Sequence, residues 1–143
     1  MEQVMVVKAT TDEQILATRA IMRQLRPNVP LHEYLATVRR MMQTDGYCLA
    51  ALYQAGQVRA VAGYRFMEML YCGRIMYVDD LITAEHSRSK GYGKVILDWL
   101  KAEAKVHRCG QLHLDSGVQR ENTHHFYFRE RLTINCYHFH VTL

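Results

Sequence analysis

A glycine-containing turn joins an apolar strand to an amphipathic helix in the middle of this sequence. The strand covers residues 74–82, the turn is Arg88-Ser89-Lys90-Gly91-Tyr92-Gly93, and the helix covers residues 93–107. The first N–H groups of a helix have no intrahelical acceptors, and the helix dipole is positive at that end. The turn adds two cationic side chains, and its glycines let the backbone approach a bulky group. A strand–turn–helix unit that binds a diphosphate is therefore predicted.

Two common phosphate-binding motifs do not fit the spacing of this turn. A P-loop has a glycine where Arg88 stands and a Ser or Thr where Val95 stands. A dinucleotide fingerprint has a third glycine where Ile96 stands. A Gly-x-Gly pair at a helix start also occurs in ordinary tight connections, so the turn alone identifies no ligand.

The pattern of apolar residues predicts strands and helices along the whole chain. Thr10 and Glu13 have the spacing of a capping box before a helix that ends near Leu25, and both prolines lie in residues 26–30, which should separate it from a second helix. The other predicted elements are strands over 3–8, 47–69 with a hairpin at 54–57, 74–82, 111–115 and 133–143, and helices over 31–42, 93–107 and 121–131. The order βααβββαβαβ predicts an α/β (α+β) fold.

Size and composition favour one compact domain over residues 1–143. A chain of 143 residues, 49% of them hydrophobic, is long enough for one core and too short for two ordinary domains. The net charge of +4 comes from scattered Lys and Arg residues, which suits an anionic ligand, and no nucleic-acid-binding motif accompanies it.

The spacing of the cysteines and histidines bears on whether the chain binds a metal. The hydropathy of the chain bears on whether it is secreted or enters a membrane. No pair of the four cysteines has CxxC spacing, so free thiols in a reducing cytosol are expected. His138-x-His140 has no acidic or Cys partner at compelling metal-ligand spacing, so no metal is expected. Neither a secretory signal nor an apolar run of roughly 20 residues is present. A cytoplasmic protein without membrane contact is predicted.

The spacing Arg88-x-x-Gly91-x-Gly93 after a strand resembles the signature of the GNAT superfamily of N-acetyltransferases, Arg/Gln-x-x-Gly-x-Gly/Ala. Residues 81–85, Leu-Ile-Thr-Ala-Glu, are similar to the segment whose edge amides bind pantetheine in that superfamily. Residues 125–130, His-Phe-Tyr-Phe-Arg-Glu, are similar to its later A-x-x-F-Y helix. The order of elements also matches, so the resemblance covers nearly the whole chain.

The resemblance implies a GNAT fold, with a mixed, mostly antiparallel sheet of six to seven strands and about four helices. It also implies acetyl-CoA as cosubstrate, in a gap where the strands over 74–83 and 111–115 splay apart and free backbone N–H groups. The cofactor-binding residues that it implies are Leu81, Ile82, Thr83, Arg88, Ser89, Lys90, Gly91, Tyr92, Gly93, Lys94 and Arg120.

Tyr127 and Asp79 are the catalytic candidates. Tyr127 stands at the superfamily's Tyr position, and a phenol with an ordinary pKa of about 10 is able to protonate a departing thiolate. It is explained equally well as a core aromatic. Asp79 and Asp80 should point to opposite faces of a strand, and the run 78–81 resembles small-amine acetyltransferases, which favours Asp79 as general base. Three roles stay open for Asp79: base, charge anchor for the amine, or ordinary partner of Arg65 or Arg74.

Two positions depart from the superfamily pattern. Arg120 stands where an Asn that contacts CoA is often found, seven residues before the Tyr. Arg131-Leu132 replaces the usual Gly-Phe after the helix, so that turn lacks its customary left-handed glycine. Both departures fall in the C-terminal part of the expected site.

The predicted function is acetyl transfer from acetyl-CoA directly to a primary amine, without an acyl-enzyme, because no cysteine falls within the motif. A small cationic amine is favoured over amino acids, aminoglycosides and protein amines. The alternative is a non-catalytic acyl-CoA-binding module or regulator. An edge strand over residues 133–143 that pairs across a two-fold axis would give a homodimer.

Overall fold

The computed structural model describes residues 3–143 of the chain. Contacts divide the chain into two compact units, one that ends at His113 and one that covers Leu114–Leu143. The interpretation of residues 1–143 as a single domain stays a prediction.

The first unit contains a sheet with helices before and after its central strands. In chain order the elements are β1 (Val4–Lys8), α1 (Asp12–Ala17), α2 (Arg19–Leu25), α3 (Tyr34–Asp45), β2 (Cys48–Gln54), β3 (Gln57–Met69), β4 (Gly73–Thr83), α4 (Tyr92–Val106) and β5 (Gln111–Leu114). Short 3-10 turns at Leu31–Glu33 and Glu85–Ser87 precede α3 and the glycine-containing turn. β5 ends at the first residue of the second unit.

The strands form one five-stranded sheet in the order β1-β2-β3-β4-β5. Neighbours from β1 to β4 pair antiparallel, as a meander requires. Ala55 and Gly56 link β2 to β3 with φ of 52° and 74°, and two positive φ values are typical of a type I′ hairpin turn. The predicted hairpin is confirmed.

The N-terminal helices differ from the prediction in two details. The first predicted helix is broken at Thr18, whose hydroxyl donates to the carbonyl of Ile15 (2.6 Å) and lies 2.8 Å from the hydroxyl of Tyr34. Such a side-chain bond to the backbone competes with the helical pattern. The capping box is formed by Thr11 and Gln14, one residue later than predicted.

With α5, described below, residues 3–143 hold five α-helices instead of about four.

The apolar core lies on both faces of the sheet. Residues 49–52 of β2 are at most 2% exposed, and successive strand residues point to opposite faces, so both faces are covered. Side chains of α1, α2 and α3 form one apolar cluster with Leu49, Val61 and Ile82. Helix α4 packs on β3 and β4 and buries Ile96, Leu97 and Leu100 completely.

The second unit contains one helix and no strand beyond the end of β5. The helix, α5, covers Glu121–Arg129. The predicted terminal strand over residues 133–143 is wrong, because that segment has no regular structure and no backbone–backbone hydrogen bond within residues 3–143. The described part of the chain therefore has five strands and not the expected six to seven.

A β-bulge interrupts the pairing of β3 with β4. Gly63 lies opposite Asp80 and Tyr64 lies opposite Val78, so Asp79 is an extra residue on β4. A bulge of this kind bends its strand and changes the direction of the side chains beside it.

Gly63 lies at a close approach of a side chain to the β3 backbone. A Cβ at this position would overlap the phenol oxygen of Tyr47 and come within 2.7 Å of Oδ2 of Asp80. The phenol donates to that same carboxylate oxygen (2.7 Å). Only a residue without a side chain leaves room for this hydrogen bond.

Gly63→Ala should therefore destabilise the protein by about 1–3 kcal/mol, because Tyr47 must move away from Asp80. Gly110→Ala is the matched control, since a Cβ there would meet nothing within 4 Å. Urea unfolding followed by circular dichroism measures both variants. Equal stability of the two would contradict the close approach.

Candidate active site

The turn from Arg88 to Gly93 lies between β4 and α4. Two of its residues, Ser89 (φ 65°) and Gly91 (φ 84°), are left-handed. Gly91 is the N-cap of α4, and its carbonyl accepts from the N–H of Val95 (3.2 Å). A Cβ at Gly91 would meet nothing within 4 Å, so the space beside this backbone is open.

Two cationic side chains of the turn form no ion pair within the described residues. Arg88 and Lys90 are exposed and form no hydrogen bond or ion pair with residues 3–143. Lys94, at the start of α4, pairs with Asp98 (Nζ–Oδ2 3.0 Å). The turn offers two cations, an open backbone and a helix N-terminus, and this set of donors fits a diphosphate.

The end of β4 is paired on one side by β3. Leu81, Ile82 and Thr83 lie opposite residues 62, 61 and 60. On the other side, the N–H of Gly110, just before β5, donates to the carbonyl of Arg74 (2.9 Å). β5 therefore begins beside the start of β4. It has four residues and β4 has eleven, so β5 is too short to pair along the whole length of β4. This geometry is compatible with the expected splaying and with free edge amides at 81–83.

The side chains of Asp79 and Asp80 belong to one charged cluster, which also contains Arg26, Arg65 and Tyr47. Arg65 donates twice to Asp79 (Nε–Oδ1 3.0 Å, Nη2–Oδ2 2.6 Å). Arg26 donates to the Asp80 carboxylate through Nε and to the Asp79 carbonyl through Nη2, both at 2.8 Å. Tyr47 donates to Asp80, and the Arg65 guanidinium lies 5.7 Å from the centre of the Tyr47 ring. The bulge makes Asp79 an extra residue on β4, and the expectation that the two carboxylates point to opposite faces of the strand stays a prediction.

Burial and the neighbouring arginine shift the pKa of the Asp79 carboxyl in opposite directions. Burial raises the pKa of its carboxyl above the ordinary value, and the hydrogen bonds from Arg65 lower it in part. Burial also raises the pKa of Tyr47, and the nearby Asp80 raises it further, so the phenol stays protonated as a donor. Of the roles left open for Asp79, the structure shows an ion pair with Arg65. Arg74 instead donates to the carbonyl of His107 (2.8 Å).

Tyr127 lies in α5 of the second unit and is partly buried. Burial raises the pKa of its phenol, and the positive charge of Arg120 lowers it in part. The ring lies 5.5 Å from that of Phe126. The acid role and the core-aromatic role both agree with this setting, so the acid role stays a prediction.

The two departures from the superfamily pattern lie on either side of α5. Arg120 is exposed and is the N-cap of the helix. Arg131 follows the helix with φ of 70°, and the next N–H, of Leu132, donates to the carbonyl of Tyr127 (2.9 Å). This turn adopts the left-handed conformation that a glycine would supply, at a cost of about 1–2 kcal/mol for an L-residue.

The histidines form local contacts. His138 Nδ1 lies 3.1 Å from a carboxylate oxygen of Asp115, and His124 Nε2 lies 2.8 Å from the carbonyl of Gly117. Residues 3–143 contain no group of three or more His, Cys, Asp or Glu side chains that could hold a metal ion.

Within the same residues, no helix has both the length and the apolar composition to cross a membrane.

Comparison with known proteins identifies the family. Residues 15–132 match the model of the acetyltransferase (GNAT) family. A Bacillus subtilis protein, the uncharacterized N-acetyltransferase YhdJ, is 34% identical over 118 residues, which cover 82% of this chain and 83% of the relative. The aminoglycoside N-acetyltransferase AAC(6')-Iy, solved with CoA, is similar with a TM-score of 0.87 and 12% identity over 100% of this chain and 96% of its own. A Trypanosoma brucei acetyltransferase has a TM-score of 0.81 and 16% identity over 99% of this chain and 100% of its own.

The chain therefore belongs to the GNAT family of acetyltransferases. Its class is that of the acetyl-CoA-dependent N-acetyltransferases, as the resemblance of the turn predicted. The two solved structures show that the fold is shared.

Two members of the charged cluster, Tyr47 and Arg26, were not predicted from the sequence. Arg65 was among the partners expected for Asp79, and it forms that ion pair. A signal for Tyr47 existed, because a glycine at position 63 of an apolar strand often marks a bulge or a close approach. Arg26 lies 54 positions from Asp80 and had no such signal.

Arg65→Gln should raise the pKa of Asp79 further, because burial persists while the lowering effect of the guanidinium is lost. Carboxyl carbon chemical shifts measured against pH report this pKa. Arg39→Gln is the control, since Arg39 pairs at the surface with Asp12 and should leave the titration of Asp79 unchanged. An unchanged or lower pKa in Arg65→Gln would contradict the assigned ion pair.

Proposed function

We propose that this enzyme transfers the acetyl group of acetyl-CoA directly to a primary amine of a small molecule, with the Arg88–Gly93 turn holding the pyrophosphate. The main support is the open, left-handed helix start at Gly91 beside Arg88 and Lys90, two cations that form no ion pair within residues 3–143. Charged donors and helix N–H groups form strong hydrogen bonds to phosphate oxygens. The remaining proposed contacts are Ser89, Tyr92, Gly93 and Lys94 with the pyrophosphate, Leu81, Ile82 and Thr83 with pantetheine, and Arg120 with CoA.

The proposed reaction assigns one proton transfer to Tyr127. The neutral amine nitrogen attacks the thioester carbonyl carbon, the carbon–sulfur bond breaks, and the thiolate takes the phenolic proton of Tyr127. The amine loses its proton to water or to Asp79, the Tyr127 phenolate takes a proton from solvent, and the products are an N-acetylated amine and CoA. The raised pKa of Tyr127 supports this role, because the phenol keeps its proton until the thiolate departs.

The charged side chains around the β3–β4 bulge help to indicate which class of amine accepts the acetyl group. Arg65 and Arg26 offset the two aspartates, so this cluster attracts a polycation only weakly. Arg65 also fixes the orientation of the Asp79 carboxylate, which favours a role in positioning the amine. AAC(6')-Iy is named as an aminoglycoside N-acetyltransferase, which agrees with an amine acceptor of small size. A small-molecule primary amine is the acceptor class that we propose, and the predicted cytoplasmic location stays a prediction.

Tyr127→Phe should reduce acetyl transfer about 100-fold or more while CoA binding survives, because only the acidic hydroxyl is removed. Release of the CoA thiol with a panel of amines measures transfer, and calorimetry measures CoA binding. Tyr137→Phe is the matched control, since Tyr137 is 84% exposed outside the proposed site.

Three outcomes separate the alternatives. Full activity in Tyr127→Phe would remove Tyr127 from the acid role. Binding of CoA without transfer to any amine in the panel would favour the non-catalytic acyl-CoA-binding module. Absence of CoA binding in the unmodified chain would overturn the proposed function itself.

A further inference from the structure

Arg26 follows the last residue of α2 and connects that helix to β4 at two points of the bulge. Its Nε donates to Oδ1 of Asp80 and its Nη2 donates to the backbone carbonyl of Asp79, both at 2.8 Å. A planar guanidinium that donates to two acceptors is held in one orientation. Arg26 therefore fixes a carboxylate and the backbone of the neighbouring residue relative to each other.

The carbonyl that Arg26 binds belongs to the extra residue of the bulge. The pairing register of β3 with β4 passes over Asp79. An extra residue of this kind lies outside the regular ladder of hydrogen bonds, so the sheet alone constrains its peptide groups less than those of its neighbours. Arg26 supplies one of the missing constraints, and it does so from a different element of the fold.

The acceptor that anchors Arg26 is itself held by the sheet. Tyr47, which precedes β2, donates to Oδ2 of Asp80 (2.7 Å), so each oxygen of that carboxylate has a donor. The Asp80 side chain is 12% exposed and the Arg26 side chain is 43% exposed. Of the two partners, Arg26 is therefore the one that a substitution changes with less effect on the core.

Two arginines hold different parts of Asp79. Arg65 binds its carboxylate through two hydrogen bonds, and Arg26 binds its backbone carbonyl. With both ends held, the Asp79 side chain has little freedom in its direction. Direction matters for a group that meets a reacting amine, because a displacement of about 1 Å is able to cost as much as 100-fold in rate.

We propose that Arg26 is a positioning residue of this enzyme, which sets the direction of the Asp79 carboxylate toward the acceptor amine by binding the Asp79 carbonyl and the Asp80 carboxylate together. The inference rests on the proposed function, in which Asp79 orients the amine or takes its proton. It gives Asp80 the role of an anchor for Arg26. Arg26 acts through Asp79 and is not itself a catalytic residue.

The charge of Arg26 also reaches Asp79. Burial raises the pKa of the Asp79 carboxyl, Arg65 lowers it, Asp80 raises it and Arg26 lowers it. Tyr47 lies beside the same group, and burial raises the pKa of its phenol, which stays protonated. Loss of the Arg26 charge should raise the pKa of Asp79, so that activity which needs the ionised carboxylate is lost at a higher pH on the acid side.

Steady-state kinetics against pH test the inference, with saturating acetyl-CoA and an amine that the unmodified enzyme acetylates. Arg26→Gln should lower kcat about 10- to 100-fold and move the acid limb of the profile to higher pH, because position and charge are both lost. Arg26→Lys should restore the acid limb but not kcat, because an ammonium keeps the charge and lacks the planar fork. Arg23→Gln is the matched control, since Arg23 is exposed on the same helix and should leave both quantities unchanged.

Calorimetric titration with CoA shows whether each variant keeps its fold, and the affinity should be the same in all of them. A kcat for Arg26→Gln equal to that of the control would overturn the inference. So would full recovery of kcat in Arg26→Lys, which would reduce the role of Arg26 to its charge. A loss of CoA affinity as large as the loss in kcat would show a merely structural role and would overturn it as well.

Failure of the proposed function gives a different result. In that case the unmodified chain transfers no acetyl group to any amine, and this is seen before a variant is measured. The inference about Arg26 would then fall together with the proposed function.

Discussion

The antiparallel pairing of β3 with β4, and the bulge within it, positions the charged groups around Asp79 and Asp80. The Asp79 carboxylate pairs with Arg65, while Arg26 binds the Asp80 carboxylate and the backbone carbonyl of Asp79. Gly63 leaves room for Tyr47 to donate to Asp80 on the partner strand. A regular ladder would send the two carboxylates to opposite faces. The bulge therefore changes which side chains lie beside each other at this point of the sheet.

The turn that follows β4 depends on the same framework. Helix α4 is fixed by its buried face, which packs on β3 and β4, so the position of its first N–H groups is set by the sheet. Gly91 then adopts a left-handed conformation that an L-residue reaches only at a cost of about 1–2 kcal/mol. Because Arg88 and Lys90 form no ion pair with the described part of the chain, residues 3–143, a phosphate can bind them without first breaking such a pair.

Most elements could be predicted because their signals are local. The Ala55-Gly56 hairpin and the glycine-containing turn before α4 follow from backbone preferences of a few residues, and the family follows from the spacing in that turn. The Thr18 hydroxyl at the helix break also contacts Tyr34, which lies 16 positions away, and the charged cluster includes Arg26, which lies 54 positions from Asp80. Contacts between distant positions leave no periodicity in a single sequence. Residues 133–143 have a strand pattern but no backbone–backbone hydrogen bond within residues 3–143, and a pattern alone cannot supply those bonds.

Calorimetric titration with CoA tests whether Arg88 and Lys90 hold the pyrophosphate of acetyl-CoA, as we propose. Replacing both residues by Gln should weaken CoA binding about tenfold or more, because two charge-assisted contacts are lost. Replacing Lys105 and Arg108 by Gln removes the same charge at the other end of α4 and should leave CoA affinity nearly unchanged. Equal affinity in the two double variants, or a loss confined to the second, would contradict the account.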